Sequence, residues 1–389
     1  MKYRRFGRTE YDISVISCGG MRYQQSWKDK DPVTDECQAN LEACIRRALD
    51  VGINHIETAR GYGTSEFQLG KILPLLPRDE VYIQTKVAPE ENPEKFRENF
   101  ELSMSLLNLD HVDIFSFHGV NTPQHLEWAY KCYDVYAKQW LKEGRIRDIG
   151  FSTHGDLRVI NKALQSGIFD HVNLHWYYIN QENWPAIEEA KKQDAGVFII
   201  SPNDKGGLLY KPSEKLLELT APLHPMVFNG LFCMSRPDVH TLSCGAAKPE
   251  DFDLHIEMTE LMDRSDELLP PILKRLEESL VLTLGEEWVR SWDQQLPYWD
   301  QTPGEVNIPI ILRLRNLTLA FDMIEYGKMR YNLLGNGDHW FPGEKSGKLS
   351  DVDITSAIAQ SPHAAQIPSA LEEAHAMLQG EEKKRLQED

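Results

Sequence analysis

The chain alternates short apolar runs with helix-period stretches, strand then helix, eight times over its first two thirds. The runs end at Cys18 and at Glu57, Lys86, His118, Ser152, His175, Ser201 and Cys244. Between them lie stretches of helical period near residues 37–49, 64–75, 93–107, 123–142, 156–166 and 183–194, and another near 250–263 follows the last. The first of these puts apolar residues at 41, 44, 45 and 48. Spacings are regular, except for a long insertion after Ser201. Eight strands alternating with helices predict a parallel sheet closed into a (β/α)8 TIM barrel, an α/β fold. Runs that are apolar at nearly every position suit strands buried on both faces.

Two short alternating runs flank Gly7-Arg8-Thr9-Glu10 and predict an N-terminal β-hairpin. After about Asp266 the strand pattern stops. Helical stretches near 269–284, 308–325, 351–360 and 367–387 are separated by turn-rich segments, which predicts a small all-helical C-terminal domain. The expected division is residues 1–265 and 266–389, with the tail from Glu381 read as a solvated helix end. The net charge of -18 argues against a nucleic-acid partner, because phosphate contacts need basic surface. No apolar run of about 18 residues suggests a membrane span, and no apolar segment follows Met1-Lys2-Tyr3-Arg4-Arg5-Phe6 as in a secretory leader. The expectation is a cytoplasmic protein whose six scattered cysteines are free, buried thiols.

Barrel active sites form at the C-terminal ends of the strands. Those ends carry Glu57, with Tyr62 in the loop beyond it, then Lys86 and His118. Such a set suits a general acid. An ammonium beside a phenol favours phenolate and lowers its pKa, a carboxylate holds the ammonium, and a histidine hydrogen-bonds the reacting oxygen. A donor of this kind protonates a carbonyl oxygen while hydride reaches its carbon, which calls for a nicotinamide.

Glu57-Thr-Ala-Arg-Gly-Tyr-Gly-Thr-Ser-Glu66 resembles the Asp-Thr-Ala-x-x-Tyr-Gly signature of the aldo-keto reductase family, with glutamate in place of aspartate. Tyr3-Arg-Arg-Phe-Gly-Arg-Thr9 resembles that family's N-terminal hairpin, which caps the barrel bottom. The resemblance covers about residues 1–265 and implies a catalytic tetrad of Tyr62, Lys86, Glu57 and His118. It also implies a cofactor lying extended across the barrel mouth. Ser152 and Thr153 match the place of a Ser-Asn pair, and Asn173 that of a glutamine, all three binding the carboxamide. Ser201, Asn203, Lys205 and Gly207 match a loop over the pyrophosphate, although its ring-stacking aromatic is Ile200 here. Gly20 and Met21 end the first strand, and Gly245 and Lys248 follow the last one. Lys248 falls where the family sets a basic residue against a 2′-phosphate, which implies NADPH and a small-molecule carbonyl substrate. Long loops at 22–36 and 202–238, with Arg22, Tyr23, Trp27 and Tyr210, would shape the substrate site.

The C-terminal part resembles a reductase subgroup with a ferredoxin-like helical domain, through Asn307-Ile-Pro, Arg313-Leu-Arg-Asn-Leu, Tyr326-Gly-x-x-Arg-Tyr331 and His339-Trp-Phe-Pro-Gly343. That subgroup binds a [4Fe–4S] cluster through four cysteines, and this chain has none after Cys244. The expectation is therefore no iron and no other metal, with Trp292, Tyr298 and Trp299 packing where the cluster would be. A competing reading is a non-catalytic NADPH-binding sensor that docks a protein partner through this domain.

Overall fold

A computed structural model describes residues 1–383. Eight parallel strands close into a barrel: β3 (Ile16–Gly19), β4 (His55–Glu57), β5 (Tyr82–Val87), β6 (Val112–Phe117), β7 (Ile146–Ser152), β8 (His171–Leu174), β9 (Gly196–Ile199) and β10 (Thr241–Gly245). β10 pairs back onto β3, with Cys18 opposite Cys244, so the sheet has no free edge. Helices α1 (Asp35–Asp50), α2 (Ser65–Ile72), α3 (Pro93–Leu107), α4 (Pro123–Cys132), α5 (Lys138–Glu143), α6 (Leu157–Gln165) and α7 (Trp184–Lys192) return the chain between strands. Their starts follow from local chemistry. Thr34, Asn92, Thr122 and Asp156 each accept a backbone N–H of the first turn, and Pro93 and Pro123 stand at N1. The stretch read as one helix over 123–142 carries a π-turn at Tyr133–Ala137 between α4 and α5. Five of the six free cysteines are buried and Cys37 is half-buried.

The hairpin β1 (Tyr3–Arg5) and β2 (Asp12–Ser14) pairs antiparallel around a turn at Gly7–Thr9. The run read as its second strand splits at Val15, whose amide still bonds the Lys2 carbonyl of the hairpin while its carbonyl accepts the Leu242 N–H of the barrel, where β3 begins. Phe6 packs with Ile13, Ile114 and Phe198, against the closed end of the barrel. Further along the axis, side chains from neighbouring strands make a polar layer. His55 Nε2 meets Gln84 Oε1 at 2.9 Å, Gln84 Nε2 donates to Ser116 Oγ at 2.8 Å, and Ser116 meets His171 Nε2 at 2.8 Å. His171 Nδ1 lies 3.1 Å from Asp148. Barrel interiors usually hold branched aliphatic residues, so this layer is a departure.

Burial makes the fold acid-sensitive. It depresses His55 to about 3 and His255, on α10 (Asp253–Leu261), to about 4. Below its unfolded value near 6.5 each gains a proton only by unfolding, so stability falls as pH falls, by about 2 kcal/mol each at pH 5. Asp148, raised by burial to about 6, works in the opposite direction and returns roughly 1 kcal/mol there. Urea unfolding at pH 5 is expected to show a clearly lower midpoint than at pH 7, and His55→Gln to remove about 2 kcal/mol of that difference. Equal midpoints for the wild type would refute this account.

The chain divides into two compact units. The first is Met1–Gly206 with Met226–Asp266, and the second is Gly207–Pro225 with the chain from Glu267 on. The insertion read as a loop over 202–238 contains α8 (Glu214–Thr220) and α9 (Pro225–Met234). The second is apolar around nearly its whole girth, so no helical period marks it. The later helices are α11 (Ser265–Leu284), α12 (Glu286–Ser291), α13 (Ile308–Phe321), α14 (Ile324–Tyr331), α15 (Thr355–Ile358) and α16 (Ile367–Leu378). The single helix expected over 308–325 breaks at Asp322, which takes a left-handed conformation that aspartate tolerates. The helix expected over 367–387 ends at Leu378, where Gln379 turns to an extended backbone, and most of the tail from Glu381 lies outside the described residues. Trp288 fills the interior of this unit. It donates Nε1–H to Asn316 at 3.0 Å and packs on His363, whereas Tyr298 is 37% exposed. Among the described residues no helix is long and apolar enough to cross a membrane.

Candidate active site

The loop after β4 is tied down at both sides of Tyr62. Arg60 N–H donates to the Lys86 carbonyl at 2.9 Å, and Tyr62 N–H to that of Ala59 at 3.0 Å. Beyond it, Glu66 is fully buried in the first turn of α2. Its carboxylate accepts from Thr85 at 2.6 Å and from Arg60 at 2.5 Å, so this glutamate pins the loop to β5 next to Lys86. Gly63 sits at φ +54, and a Cβ there would lie 1.9 Å from the Ser26 carbonyl oxygen. Gly63→Ala is expected to lower stability by about 3 kcal/mol, read by chemical denaturation, because the clashing Ser26 carbonyl is backbone and not a flexible side-chain end. A variant as stable as the wild type would mean that the loop holds another conformation.

Glu57, Lys86, Tyr62 and His118 come together at the end of β4, β5 and β6. Lys86, only 1% exposed, donates from Nζ to Glu57 Oε1 at 2.9 Å and to the Thr58 carbonyl at 2.8 Å. The same Nζ lies 3.5 Å from the Tyr62 hydroxyl. The Tyr62 and His118 rings meet edge to face at 5.6 Å. Glutamate thus reaches the lysine despite its extra methylene. The electrostatics differ from the expected lowering of the phenol. Burial, then the Glu57 carboxylate, hold Tyr62 well above its ordinary value. Burial also lowers Lys86, with Glu57 opposing. Since Glu57 bonds the same ammonium, it offsets the ammonium's field at the phenol. The phenol keeps its proton across the neutral range and is available as a donor.

The other candidates line the same barrel end, in different circumstances. A Cβ on Gly20 would lie 2.7 Å from the Glu57 carbonyl oxygen and 2.8 Å from Ser65 Oγ, so only glycine fits there; Met21 beside it is half-buried. Ser152 and Asn173 are register partners on β7 and β8. Ser152 Oγ accepts the Gly119 N–H at 3.1 Å. Asn173 is fully buried, yet neither atom of its amide has a hydrogen-bond partner in the protein. An unpaired buried amide costs free energy, and a ligand amide fitting there would remove that cost. Thr153 is engaged by the protein itself: its hydroxyl donates to the Val120 carbonyl in the loop after β6 at 2.7 Å and accepts from the Gly155 N–H in its own loop at 2.9 Å. Ser201 takes a left-handed φ of 51, and Asn203 Nδ2 meets His255 at 3.2 Å. Gly207, at φ 130, opens the second compact unit. Gly245 lies under the Arg22 side chain, whose guanidinium pairs with Asp204. At Lys248 the backbone N–H, like that of Ala247, donates to Asp251, so an internal carboxylate caps this turn. Among the described residues no group of three or more His, Cys, Asp and Glu stands ready to hold a metal.

One cluster escaped the sequence reading. Lys205 Nζ lies 3.1 Å from His154 Nε2 and 3.5 Å from His175 Nε2. The two imidazoles meet edge to face at 4.4 Å, and His175 Nδ1 bonds the Tyr177 hydroxyl. The available signal was spacing: each histidine stands two residues beyond a carboxamide candidate, His154 after Ser152 and His175 after Asn173.

Comparison with known proteins places the chain in a family. Residues 15–215 match the model of the Aldo/keto reductase family. The chain is 29% identical over 144 residues to methylglyoxal reductase DkgA of Salmonella typhimurium, covering 34% of this chain and 48% of that protein. It is 28% identical over 232 residues to an NADH-specific methylglyoxal reductase of Escherichia coli, covering 53% and 68%. The chain thus spans about half the length of the first of these relatives and two thirds of the second. The holo form of aldo-keto reductase AKR11C1 from Bacillus halodurans shares the barrel, with a TM-score of 0.59 at 19% identity, over 71% of this chain and 96% of that one. This chain belongs to the aldo/keto reductase family.

Proposed function

We propose that this family member is an NADPH-dependent reductase that converts an aldehyde or ketone to an alcohol, with Tyr62 as general acid. The observation that carries the reading is the continuous contact from Glu57 through Lys86 to the Tyr62 hydroxyl, at 2.9 and 3.5 Å. Bound nicotinamide would supply the hydride. Ser152 and Asn173 would hold its carboxamide, and the unpartnered Asn173 amide supports that assignment. Gly20, Met21, Ser201 and Gly245 would lie along the cofactor's backbone. Tyr62, protonated, donates to the carbonyl oxygen; Lys86 orients the phenol, Glu57 holds Lys86, and His118 steers the oxygen. Relatives bearing the name methylglyoxal reductase make short aldehydes the first substrates to test.

Loss of NADPH absorbance with a panel of aldehydes is the direct test. Turnover that Tyr62→Phe abolishes supports the enzyme. A wild type and Tyr62→Phe that are equally inert while both bind NADPH would leave the sensor reading instead. Lys248 is assigned to the 2′-phosphate. Lys248→Glu is expected to reduce the NADPH-over-NADH preference in kcat/KM by about tenfold or more, the size of one charge-assisted contact. An unchanged preference would remove Lys248 from the cofactor site. We read the second unit as a helical frame without a cluster, because no cysteine lies beyond Cys244 to ligate iron.

A further inference from the structure

The long insertion after β9 is divided between the two compact units. Residues up to Gly206 belong to the first, and Gly207–Pro225 belong to the second. The division falls within the stretch from Ser201 that the proposed function sets along the cofactor. Upstream, α9 holds this stretch: Asn229, 3% exposed, donates from Nδ2 to the Pro202 carbonyl at 2.9 Å. Two residues that carry a Cβ, Ser201 and Leu208, take left-handed φ values of 51 and 52 at its ends. That conformation is costly for a leucine and persists only where neighbouring structure imposes it.

The downstream neighbour is α8, and other helices of the second unit hold both of its ends. Ser213 caps its start, accepting the Leu216 N–H at 3.1 Å. The same hydroxyl donates to the Phe321 carbonyl, at the end of α13, at 2.7 Å. At the other end Arg275, on α11, donates to the Leu219 carbonyl at 3.0 Å and to that of Ala221. Ser279, one turn further on the same face of α11, donates to the Ala320 carbonyl at 2.8 Å. An isolated helix of seven residues is not stable in water, so these ties, with the burial of Leu216 and Thr220, account for the order of α8. Little slack remains between α8 and the stretch before it. The Lys211 N–H closes a turn on the Leu208 carbonyl at 2.8 Å, and Leu209 is buried.

Resting on the reading of Ser201–Gly207 as a cofactor loop, we propose that Arg275 and Ser213 are positioning residues for NADPH. They clamp α8 at its two ends, and α8 fixes the downstream end of the loop, at Gly207 and Leu208, in the conformation that receives the cofactor. The second unit thereby serves the reaction through continuity of the chain, without placing a group on the reacting atoms.

The test combines fluorescence titration with NADPH, steady-state kinetics with butanal, and amide hydrogen exchange of the full chain without cofactor. Arg275→Met is expected to raise the NADPH dissociation constant, and KM for NADPH, about tenfold, the size of one charge-assisted contact. At saturating NADPH, kcat and KM for the aldehyde should stay within about twofold of the wild type. Arg275→Lys keeps the charge but not the fork that spans two carbonyls, so it should recover part of the affinity. Lys274→Met, next to it on α11 with a side chain 76% exposed, is the control and should change nothing. In Arg275→Met the amides of α8 and of residues 203–208 should exchange faster, while those of α2 beyond Tyr62 keep the wild-type rate. Faster exchange in α8 at an unchanged NADPH affinity would overturn the proposal and leave the reductase standing. A wild type that binds no NADPH would sink the reductase and the proposal together. A variant in which kcat falls and α2 also loses protection would make Arg275 a residue of the fold alone, which overturns the proposal as well.

Discussion

Replacing Tyr62 by phenylalanine is expected to lower kcat for aldehyde reduction by about 10²–10⁴, the usual worth of a positioned general acid. NADPH affinity should change by no more than about twofold, since uniform binding is not what the hydroxyl supplies. The ring itself stays in place, because its edge-to-face contact with His118 and its approach to Lys86 do not need the oxygen. The pH profile carries more information than the rate. Burial and the Glu57 carboxylate raise the phenol above its ordinary value near 10. An acid must be protonated to act, so the wild-type rate should hold level from neutral pH up to about 10 and fall only beyond it. A phenol governed by the Lys86 ammonium would be lowered instead, and the rate would begin to fall nearer neutrality. A level profile in Tyr62→Phe, at wild-type rate, would dismiss this residue as the donor.

That electrostatic result marks where the sequence stops being legible. Residue order shows which side chains end the strands, since strand-end positions follow from the alternation alone. Glu57, Lys86 and His118 were therefore readable before any coordinates. The sign of the shift at Tyr62 was not, because it depends on Glu57 sharing the Lys86 ammonium at 2.9 Å while the phenol stands at 3.5 Å. Distance and burial settle that balance, and neither is written in a motif. The same holds for Lys205, whose loop suggested a phosphate partner and whose ammonium lies against two imidazoles. Helices α8 and α9 were missed for a different reason: the first is short, and the second is apolar around nearly its whole girth. Trp288 went unnoticed beside Trp292 because composition does not say which of two tryptophans points inward.

Lys86→Met is expected to lose about 3–5 kcal/mol of folding stability along with activity, and Glu57→Gln distinctly less stability. The asymmetry follows from what each substitution leaves behind. Without Lys86, the Glu57 carboxylate stays 3% exposed with no cation, and one of its oxygens already lacks a hydrogen-bond partner. Without the carboxylate charge, Lys86 still donates to the Thr58 carbonyl, and the glutamine oxygen still accepts from it. The double variant Glu57→Gln with Lys86→Met should therefore be more stable than Lys86→Met alone. Methionine fills a volume similar to the lysine stem, and no buried charge remains. Chemical denaturation of the four proteins closes a double-mutant cycle, and a coupling near zero would mean that the pair is solvated in solution. Activity should not recover with stability. The double variant is expected to fold well and reduce aldehydes as poorly as Lys86→Met, because a neutral pair cannot orient the Tyr62 phenol. Recovery of both together would assign Lys86 to the fold alone and leave Tyr62 acting without it.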